Sequence, residues 1–147
     1  MGNSACGKTA FVTMLSEQRF EYRYVPTLIS TSTQVEVSVP DNKIPVTFEL
    51  VESTGNENST DDSQKNVDFI LCMVDLESRT CSRLTRNWIT FCNEYYSGVP
   101  VHICGTRTDI ASTRAVRDMD SLGLNHSRMT NRSYDDCKNV LVSIYLK

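Results

Sequence analysis

The chain has 147 residues, of which 39% are hydrophobic and 22% are charged, proportions typical of a globular protein with a single domain. Its formal net charge of -3, without a run of Lys or Arg, argues against a protein that binds nucleic acid. The sequence has neither a secretory signal nor an apolar run long enough to cross a bilayer, so we expect a cytoplasmic or nuclear protein without a membrane association.

The sequence begins with a phosphate-binding pattern. Residues 2–9 spell G-x-x-x-x-G-K-T, in which glycines let backbone N–H groups turn towards phosphate oxygens, the lysine reaches the terminal phosphates and the last hydroxyl binds Mg²⁺. Apolar residues then recur at helical spacing to about Glu17, so the loop should end on a helix N-terminus, whose dipole favours anions. The predicted nucleotide-binding residues are Gly2, Asn3, Ser4, Ala5, Cys6, Gly7, Lys8 and Thr9.

Two features of this start leave alternatives open. A phosphate loop normally follows a buried strand, but here Met1 directly precedes the loop. The chain is therefore truncated, or another segment takes the place of the strand, or the domain is built without it. The start also resembles an N-myristoylation signal at Gly2 with a cysteine for palmitoylation, although Cys6 stands where that signal requires Ser or Thr. A lipid-anchored adaptor is the hypothesis that this second pattern raises.

The next part of the chain predicts a β-hairpin. Pro26 forces the preceding residue towards extended geometry, and a mobile polar segment is expected at residues 29–33. Val35, Val37 and Val39 alternate with polar residues, as in a half-exposed strand. A turn at residues 40–43 leads to a second strand at 44–51, which should pair with the first in the antiparallel sense. Residues 58–66 are polar and read as a flexible loop.

The second half alternates strands and helices. Continuous apolar runs at residues 69–74 and 99–104 predict strands buried on both faces, and residues 78–96 between them predict an amphipathic helix. Residues 111–132 are hard to interpret, with a weak strand expected around Leu122 and Leu124. Ser133 should cap a terminal helix. This alternation predicts an α/β fold with a mostly parallel sheet and ligands at the carboxyl ends of its strands.

The cysteines lack the spacing of a metal site. They form no C-x-x-C pair and have no nearby His, and several fall inside apolar runs. We expect buried free thiols in a reducing compartment. The six cysteines are Cys6, Cys72, Cys81, Cys92, Cys104 and Cys137.

The order and spacing of four segments resemble the Ras superfamily of small GTPases. These segments are residues 2–9, 24–27, 53–57 and 104–109. Within the superfamily the sequence is most similar to the Ran family, through residues 20–25, Ser78 with Arg79, Asn87 with Trp88, and Cys104 with Gly105. The resemblance implies a small G-protein fold of the P-loop NTPase type without its usual first strand. It also implies GTP or GDP with Mg²⁺ as ligands, and protein effectors or regulators that bind the switch segments.

At the phosphate end, the resemblance assigns roles residue by residue. Thr9 and Thr27 correspond to the Mg²⁺ ligands, and Gly55 corresponds to the glycine whose N–H senses the γ-phosphate. Glu52 replaces the Asp that holds a Mg²⁺-bound water, and its extra methylene should shift the ion. Asn56 replaces the glutamine that positions the attacking water, with an amide one methylene short. We therefore expect GTP hydrolysis to be slow or absent.

At the base end, the resemblance assigns Asp109 to the carboxylate that accepts from the guanine N1 and N2 donors, which would select GTP over ATP. Thr106 replaces the usual Asn of this motif, and Arg107 replaces the lysine that lies along the base. Residues 129–131, Met-Thr-Asn, are the candidates for the Ser-Ala-Lys contact with guanine and match it poorly. The base end therefore departs from the family pattern more than the loop does.

Two functional hypotheses follow. The first is a Ran-like GTP-binding switch, although Asp118 and Asp120 lie where Ran has a basic patch, which argues against binding to transport receptors. No prenylation cysteine ends the sequence, in agreement with a soluble Ran-like protein. The alternative is a pseudo-GTPase, a protein-interaction module that binds no nucleotide, and the altered motifs favour it.

Overall fold

The computed structural model describes residues 1–54, 66–122 and 126–147. Strands and helices alternate through most of this part of the chain, as the apolar runs predict. In chain order the elements are α1 (Lys8–Glu17), β1 (Thr31–Val37), β2 (Val46–Glu52), β3 (Ile70–Asp75), α2 (Cys81–Tyr95), β4 (Val101–Thr106), α3 (Thr113–Asp120), β5 (His126–Arg128) and α4 (Tyr134–Tyr145). No described helix is long and apolar enough to cross a membrane.

The strands form two sheets. β1 and β2 make the predicted antiparallel hairpin, with Val35 opposite Phe48. β3, β4 and β5 make a parallel sheet in that order, and helices cover its faces. The α/β small G-protein fold class is therefore confirmed. The sheet is not continuous, however, because within the described residues no ladder joins the hairpin to the parallel strands.

Met1 lies beside β3 in the manner of a parallel strand. Its amine donates to the carbonyl of Leu71 at 2.6 Å, and the N–H of Met73 donates to the carbonyl of Met1 at 2.9 Å. Burial lowers the pKa of this amine from its usual 8.0. The parallel sheet thus holds the backbone position from which the phosphate loop starts.

The core consists of two main apolar clusters. In the first, Phe11 and Leu15 of α1 pack with Val37 of β1 and Leu141 of α4. The second lies around Trp88 of α2 on the parallel sheet. All six cysteines are free and buried, as predicted, and burial raises the pKa of both Cys72 and Cys137 to about 12. Among the described residues no group of His, Cys, Asp and Glu side chains could hold a metal ion by itself.

Some predicted boundaries and one predicted element are wrong. β1 begins at Thr31, inside the segment expected to be mobile, because its polar residues pair with β2. α2 begins at Cys81, since the preceding residues form a turn. The weak strand expected at Leu122 is absent, and Leu124 lies outside the described residues. The helix α3 precedes Leu122 instead, capped by Ser112, whose hydroxyl accepts from the N–H of Ala115.

Candidate functional site

The loop at residues 2–9 needs glycine at both of its glycine positions. Gly2 and Gly7 have φ angles of 132° and 100°, which L-residues rarely adopt. A Cβ on Gly7 would lie 2.1 Å from the side-chain nitrogen of Asn131, and a Cβ on Gly2 would lie 2.2 Å from the carbonyl oxygen of Met73. The loop backbone is therefore packed tightly at both glycines, and neither position has room for a side chain.

Lys8 closes the loop on itself. Its buried ammonium donates to the carbonyls of Gly2 at 2.9 Å and Asn3 at 3.0 Å. The helix α1 starts immediately after Gly7, and this N-cap residue has no side chain that could cap the first N–H groups. An ammonium and a helix N-terminus with uncapped amides together make a site that favours anions.

Four of the predicted nucleotide-binding residues hold the loop in place and do not line the cavity beside it. They are Gly2, Asn3, Cys6 and Thr106. The hydroxyl of buried Thr106 donates to the carbonyl of Cys6 at 2.9 Å, which ties the loop to β4. The indole N–H of Trp88 donates to the side-chain oxygen of Asn3 at 2.7 Å. Gly2 accepts from Lys8. The contact of Trp88 with the loop has no signal in the sequence, because the helical spacing of Trp88 indicates only a core position.

The three predicted metal residues converge at the start of α1. The hydroxyls of Thr9 and Thr27 lie 3.0 Å apart, and the Thr27 hydroxyl donates to the carboxylate of Glu52 at 3.1 Å. Thr9 donates to the same carboxylate oxygen. Thr27 is 18 positions from Thr9 and 25 from Glu52 in the sequence, yet the oxygen atoms of all three side chains meet at one point. Hydroxyl and carboxylate oxygens are the donor set that suits Mg²⁺, so the residues present fit this ion.

A cavity of about 440 Å³ extends from these residues, within the size range of small-molecule sites. Its wall includes Ser4 and Ala5 of the loop and, further along, Arg107 and Asp109. Basic side chains outnumber acidic ones on the wall by five to three. These are Lys8, Arg19, Arg23, Arg107 and Arg132 against Glu21, Glu52 and Asp109. This excess of positive charge suits a polyanionic ligand.

Arg107 bridges the ends of two strands at this cavity. Its guanidinium lies 3.2 Å from the carboxylate of Asp75 and 2.7 Å from that of Glu77, and it donates to the carbonyl of Ala5 at 3.4 Å. Its φ of 58° lies in the left-handed region, where a non-glycine residue is uncommon. The side chain at the position of the base-stacking lysine is therefore held by two carboxylates.

The base end of the cavity contains contacts that the sequence did not indicate. Arg132 lies 3.7 Å from the carboxylate of Asp109, and it stacks over the ring of Phe20 at 5.4 Å. The backbone N–H of Thr130 donates to the side chain of Asp136 at 3.2 Å. The Ser-x-x-Asp pattern of residues 133–136 indicated only a helix cap. That cap is present, since the Ser133 hydroxyl accepts from the N–H of Asp136.

Asn131 joins the base end to the phosphate loop. Its side-chain nitrogen donates to the carbonyl of Gly7 at 3.0 Å, while its buried side-chain oxygen has no hydrogen-bond partner within the described part of the chain. The predicted γ-phosphate sensor Gly55 and the predicted catalytic Asn56 both lie outside the described residues.

Comparison with known proteins agrees with this arrangement. Residues 1–141 match the family model described as the Ras family. A protein of Candida albicans (strain WO-1), named "GTP-binding RHO-like protein", is 25% identical over 135 residues, which cover 84% of this chain. The chain spans only 38% of that relative's length. Because the family model matches nearly the whole chain, and because the fold and the loop agree with it, this chain belongs to the Ras family.

Proposed function

We propose that this chain is a guanine-nucleotide-binding switch of the Ran type with weak or absent GTP hydrolysis. The observation that carries the proposal is the convergence of Thr9, Thr27 and Glu52 in the cavity that Lys8 also lines. Folding alone does not require two hydroxyls and a carboxylate to lie together at the entrance of an anion-binding loop.

Each residue of this group has a defined task towards GTP or GDP. Lys8 and the uncapped amides of α1 bind phosphate oxygens, which replace the loop carbonyls that the ammonium contacts here. Thr9 and Thr27 would offer hydroxyl oxygens to Mg²⁺, and the Glu52 carboxylate beside them would help to hold the hydrated ion. The chemistry that the ion would supply is neutralisation of phosphate charge.

The switch itself depends on Thr27. This threonine lies on an exposed segment between α1 and β1, and its contacts are to Thr9 and Glu52. A bound state in which Thr27 serves as a metal ligand would order this segment, and a state in which it does not would leave the segment free to move. The same segment exposes Tyr22, Leu28 and Ile29, which suits a surface for effectors or regulators.

The finer parts of the proposal rest on the sequence. Weak hydrolysis follows from Asn56 at the position of the water-positioning glutamine, because a shorter amide cannot hold the attacking water at the same place. The Ran-type assignment rests on motifs such as Asn87 with Trp88, and the relative from Candida albicans is named for Rho. Binding to transport receptors is not part of the proposal, since Asp118 and Asp120 replace the basic patch.

A second candidate function, a pseudo-GTPase interaction module, is favoured by the base end. There Arg107 is paired with Asp75 and Glu77, and the N–H of Thr130 is bound to Asp136. Groups that would face a base are thus engaged within the protein. In this candidate the exposed apolar residues around Leu28 bind a partner without control by nucleotide.

A titration with fluorescent GDP and GTP, with and without Mg²⁺, separates the two candidates. The proposal predicts that Mg²⁺ tightens nucleotide binding by the wild type, that Lys8→Ala abolishes binding, and that Thr9→Val loses the Mg²⁺ effect. Loss of the ammonium removes a charge-assisted bond to phosphate, and loss of the hydroxyl removes an ion ligand. Failure of the wild type to bind either nucleotide would leave the pseudo-GTPase as the surviving candidate.

Lys8→Ala also removes the hydrogen bonds to the loop carbonyls of Gly2 and Asn3, so a distorted loop would also abolish binding by this variant. A second variant is therefore needed. Thr9→Val keeps the size and shape of the side chain and serves this purpose, because it should lose only the response to Mg²⁺. The matched control is Thr90→Val, the same change on the exposed face of α2. The control should bind nucleotide and respond to Mg²⁺ as the wild type does.

A further inference from the structure

A turn at residues 3–6 gives the phosphate loop its shape. The N–H of Cys6 donates to the carbonyl of Asn3 at 3.3 Å and closes this turn, whose two middle residues, Ser4 and Ala5, are exposed and line the cavity. Ala5 has a φ of 62°, in the left-handed region that a non-glycine residue uncommonly adopts. Because the middle of the turn does not favour this conformation, contacts at the two ends of the turn hold it in place.

The carbonyl of Asn3 also sets the position of the Lys8 ammonium. This oxygen accepts from Nζ of Lys8 at 3.0 Å, and the carbonyl of Gly2 accepts from the same atom at 2.9 Å. The orientation of the peptide group that follows Asn3 thus fixes both the shape of the turn and the place of the ammonium. Ser4, Ala5 and Lys8 all line the cavity, so the orientation of Asn3 bears directly on how the loop binds an anion.

Trp88 of α2 holds Asn3 from a distant part of the chain. The indole N–H donates to the side-chain oxygen of Asn3 at 2.7 Å, although 85 positions separate the two residues. An indole nitrogen can only donate, so the amide oxygen of Asn3 must face it. The ring of Trp88 is itself fixed, because the residue is 2% exposed and packs edge-on against Phe91 with 5.5 Å between the ring centroids. A donor that the core holds in place therefore determines the orientation of Asn3.

We propose that Trp88 is a positioning residue of the phosphate loop. Its N–H holds Asn3, and through the Asn3 carbonyl it sets the turn at residues 3–6 and the place of the Lys8 ammonium. Without this bond the ligand has to order the loop as it binds, which weakens binding. The inference rests on the proposed function, because the anion concerned is the phosphate of a nucleotide.

A simpler explanation of the same bond is that Asn3 only satisfies a buried indole N–H, since tryptophan usually finds a partner for this group when it is buried. In that case the bond between Trp88 and Asn3 contributes to the stability of the fold and not to binding. The two explanations differ in what they predict for nucleotide dissociation and for the mobility of the loop.

The test compares Asn3→Ala, Trp88→Phe and the double variant with the wild type. Two rates are measured: dissociation of fluorescent GDP in the presence of Mg²⁺, and hydrogen exchange of the Cys6 amide in the nucleotide-free protein, followed by NMR. We expect each single variant to raise both rates by about threefold to tenfold, the range for loss of one neutral hydrogen bond. The double variant should be no faster than the faster single variant, because both substitutions remove the same bond.

Two further variants separate the bond from core packing. Asn3→Asp keeps a side-chain oxygen that can accept from the indole, so exchange of the Cys6 amide should stay close to the wild-type rate. The matched control is Phe91→Leu, which disturbs the packing around Trp88 and leaves the bond itself in place. Both rates should keep their wild-type values in this control.

The inference is overturned if both single variants release GDP at the wild-type rate, or if Phe91→Leu raises the two rates as much as Trp88→Phe does. Those results leave the proposed function intact. If the wild type binds neither nucleotide, the proposed function fails and exchange of the Cys6 amide alone decides the inference. Wild-type exchange in Asn3→Ala then overturns the positioning of the loop by Trp88, and faster exchange there than in Phe91→Leu supports it.

Discussion

At the scale of single residues, Gly7 is a loop position where the backbone has no room for a side chain. Alanine there would adopt a φ of 100° and place its Cβ 2.1 Å from the Asn131 nitrogen, which donates to the Gly7 carbonyl. We expect Gly7→Ala to lower the free energy of unfolding by about 2 to 3 kcal/mol, because the positive φ and the broken hydrogen bond both carry a cost. Urea unfolding monitored by Trp88 fluorescence measures this change.

The chain offers a matched control in Gly98, which follows α2. Its φ of 85° is also positive, but a Cβ added there meets no atom within 4 Å. Gly98→Ala should therefore cost only the conformational part, about 1 to 2 kcal/mol. Equal losses in the two variants would contradict the claim that contact with Asn131 makes glycine necessary at position 7.

The convergence of Thr9, Thr27 and Glu52 could be predicted from the sequence at this scale, and the contacts at the base end could not. The loop residues follow one another, so their joint task is visible as a pattern, and the positions of Thr27 and Glu52 followed from a resemblance in spacing. The bond between Asp136 and Thr130 depends on how α4 docks against the end of β5. A helix cap is enough to explain the Ser-x-x-Asp pattern, so the pattern does not indicate that the Asp136 carboxylate also accepts from the N–H of Thr130.

At the scale of elements, His102 joins β4 to β5 and α4. Its ring nitrogen lies 2.8 Å from the hydroxyl of Ser127, which is 3.4 Å from that of Ser143. Burial, with smaller contributions from Lys147 and His126, lowers the pKa of His102 from 6.5 to about 4. Between these values the unfolded chain takes up a proton that the folded protein does not. The free energy of unfolding should therefore fall by about 3 kcal/mol as the pH drops from 6.5 to 4, with no contribution from His102 above that window.

Acidic groups also titrate at low pH, so the measurement is a difference between variants. Chemical denaturation at a series of pH values should give a shallower loss for His102→Gln than for the wild type, since glutamine keeps a nitrogen near Ser127 without a titrating ring. His126→Gln removes the other histidine, which lies 2.9 Å from Asp120, and is the matched control for loss of an imidazole. Parallel curves for wild type and His102→Gln would refute the assignment.

The strands and helices predicted from the sequence are present where the apolar pattern is strong. The buried runs of β3 and β4 and the alternation in β2 have few other interpretations. The helix α3 was missed because only Ala115 and Met119 of its eight residues are buried, too few for a visible period. The first residues of β1 were missed for a related reason, since exposed Thr31 and Ser32 belong to the strand through backbone pairing with β2. Pairing through backbone hydrogen bonds cannot be predicted from the polarity of the side chains.

At the scale of the whole molecule, the sheet is divided. The hairpin β1–β2 contacts the rest of the described chain mainly through α1 and α4, whereas β3 pairs with β4 and carries Met1 at its other edge. Because no backbone ladder among the described residues crosses between the two sheets, opening of the hairpin does not require the parallel sheet to open. We expect hydrogen exchange to show amides of β1 and β2 exchanging at least about tenfold faster than those of β3 and β4, a difference of about 1.4 kcal/mol.

Two valine substitutions test whether these are separate cooperative units. Val74 of β3 belongs to the cluster around Trp88, whereas Val37 of β1 belongs to the cluster around α1. If the hairpin opens while the parallel sheet stays folded, Val74→Ala leaves the protection of hairpin amides unchanged, because its contacts exist both before and after that opening. The same change lowers the protection of β3 and β4, which exchange only on global unfolding. Val37→Ala lowers the protection of amides in both sheets, because the contacts of Val37 are lost when the hairpin opens alone and when the whole chain unfolds. An equal fall in both sheets after Val74→Ala would instead mean that the chain opens as one unit, and that side-chain packing alone couples the two sheets as tightly as a continuous ladder would.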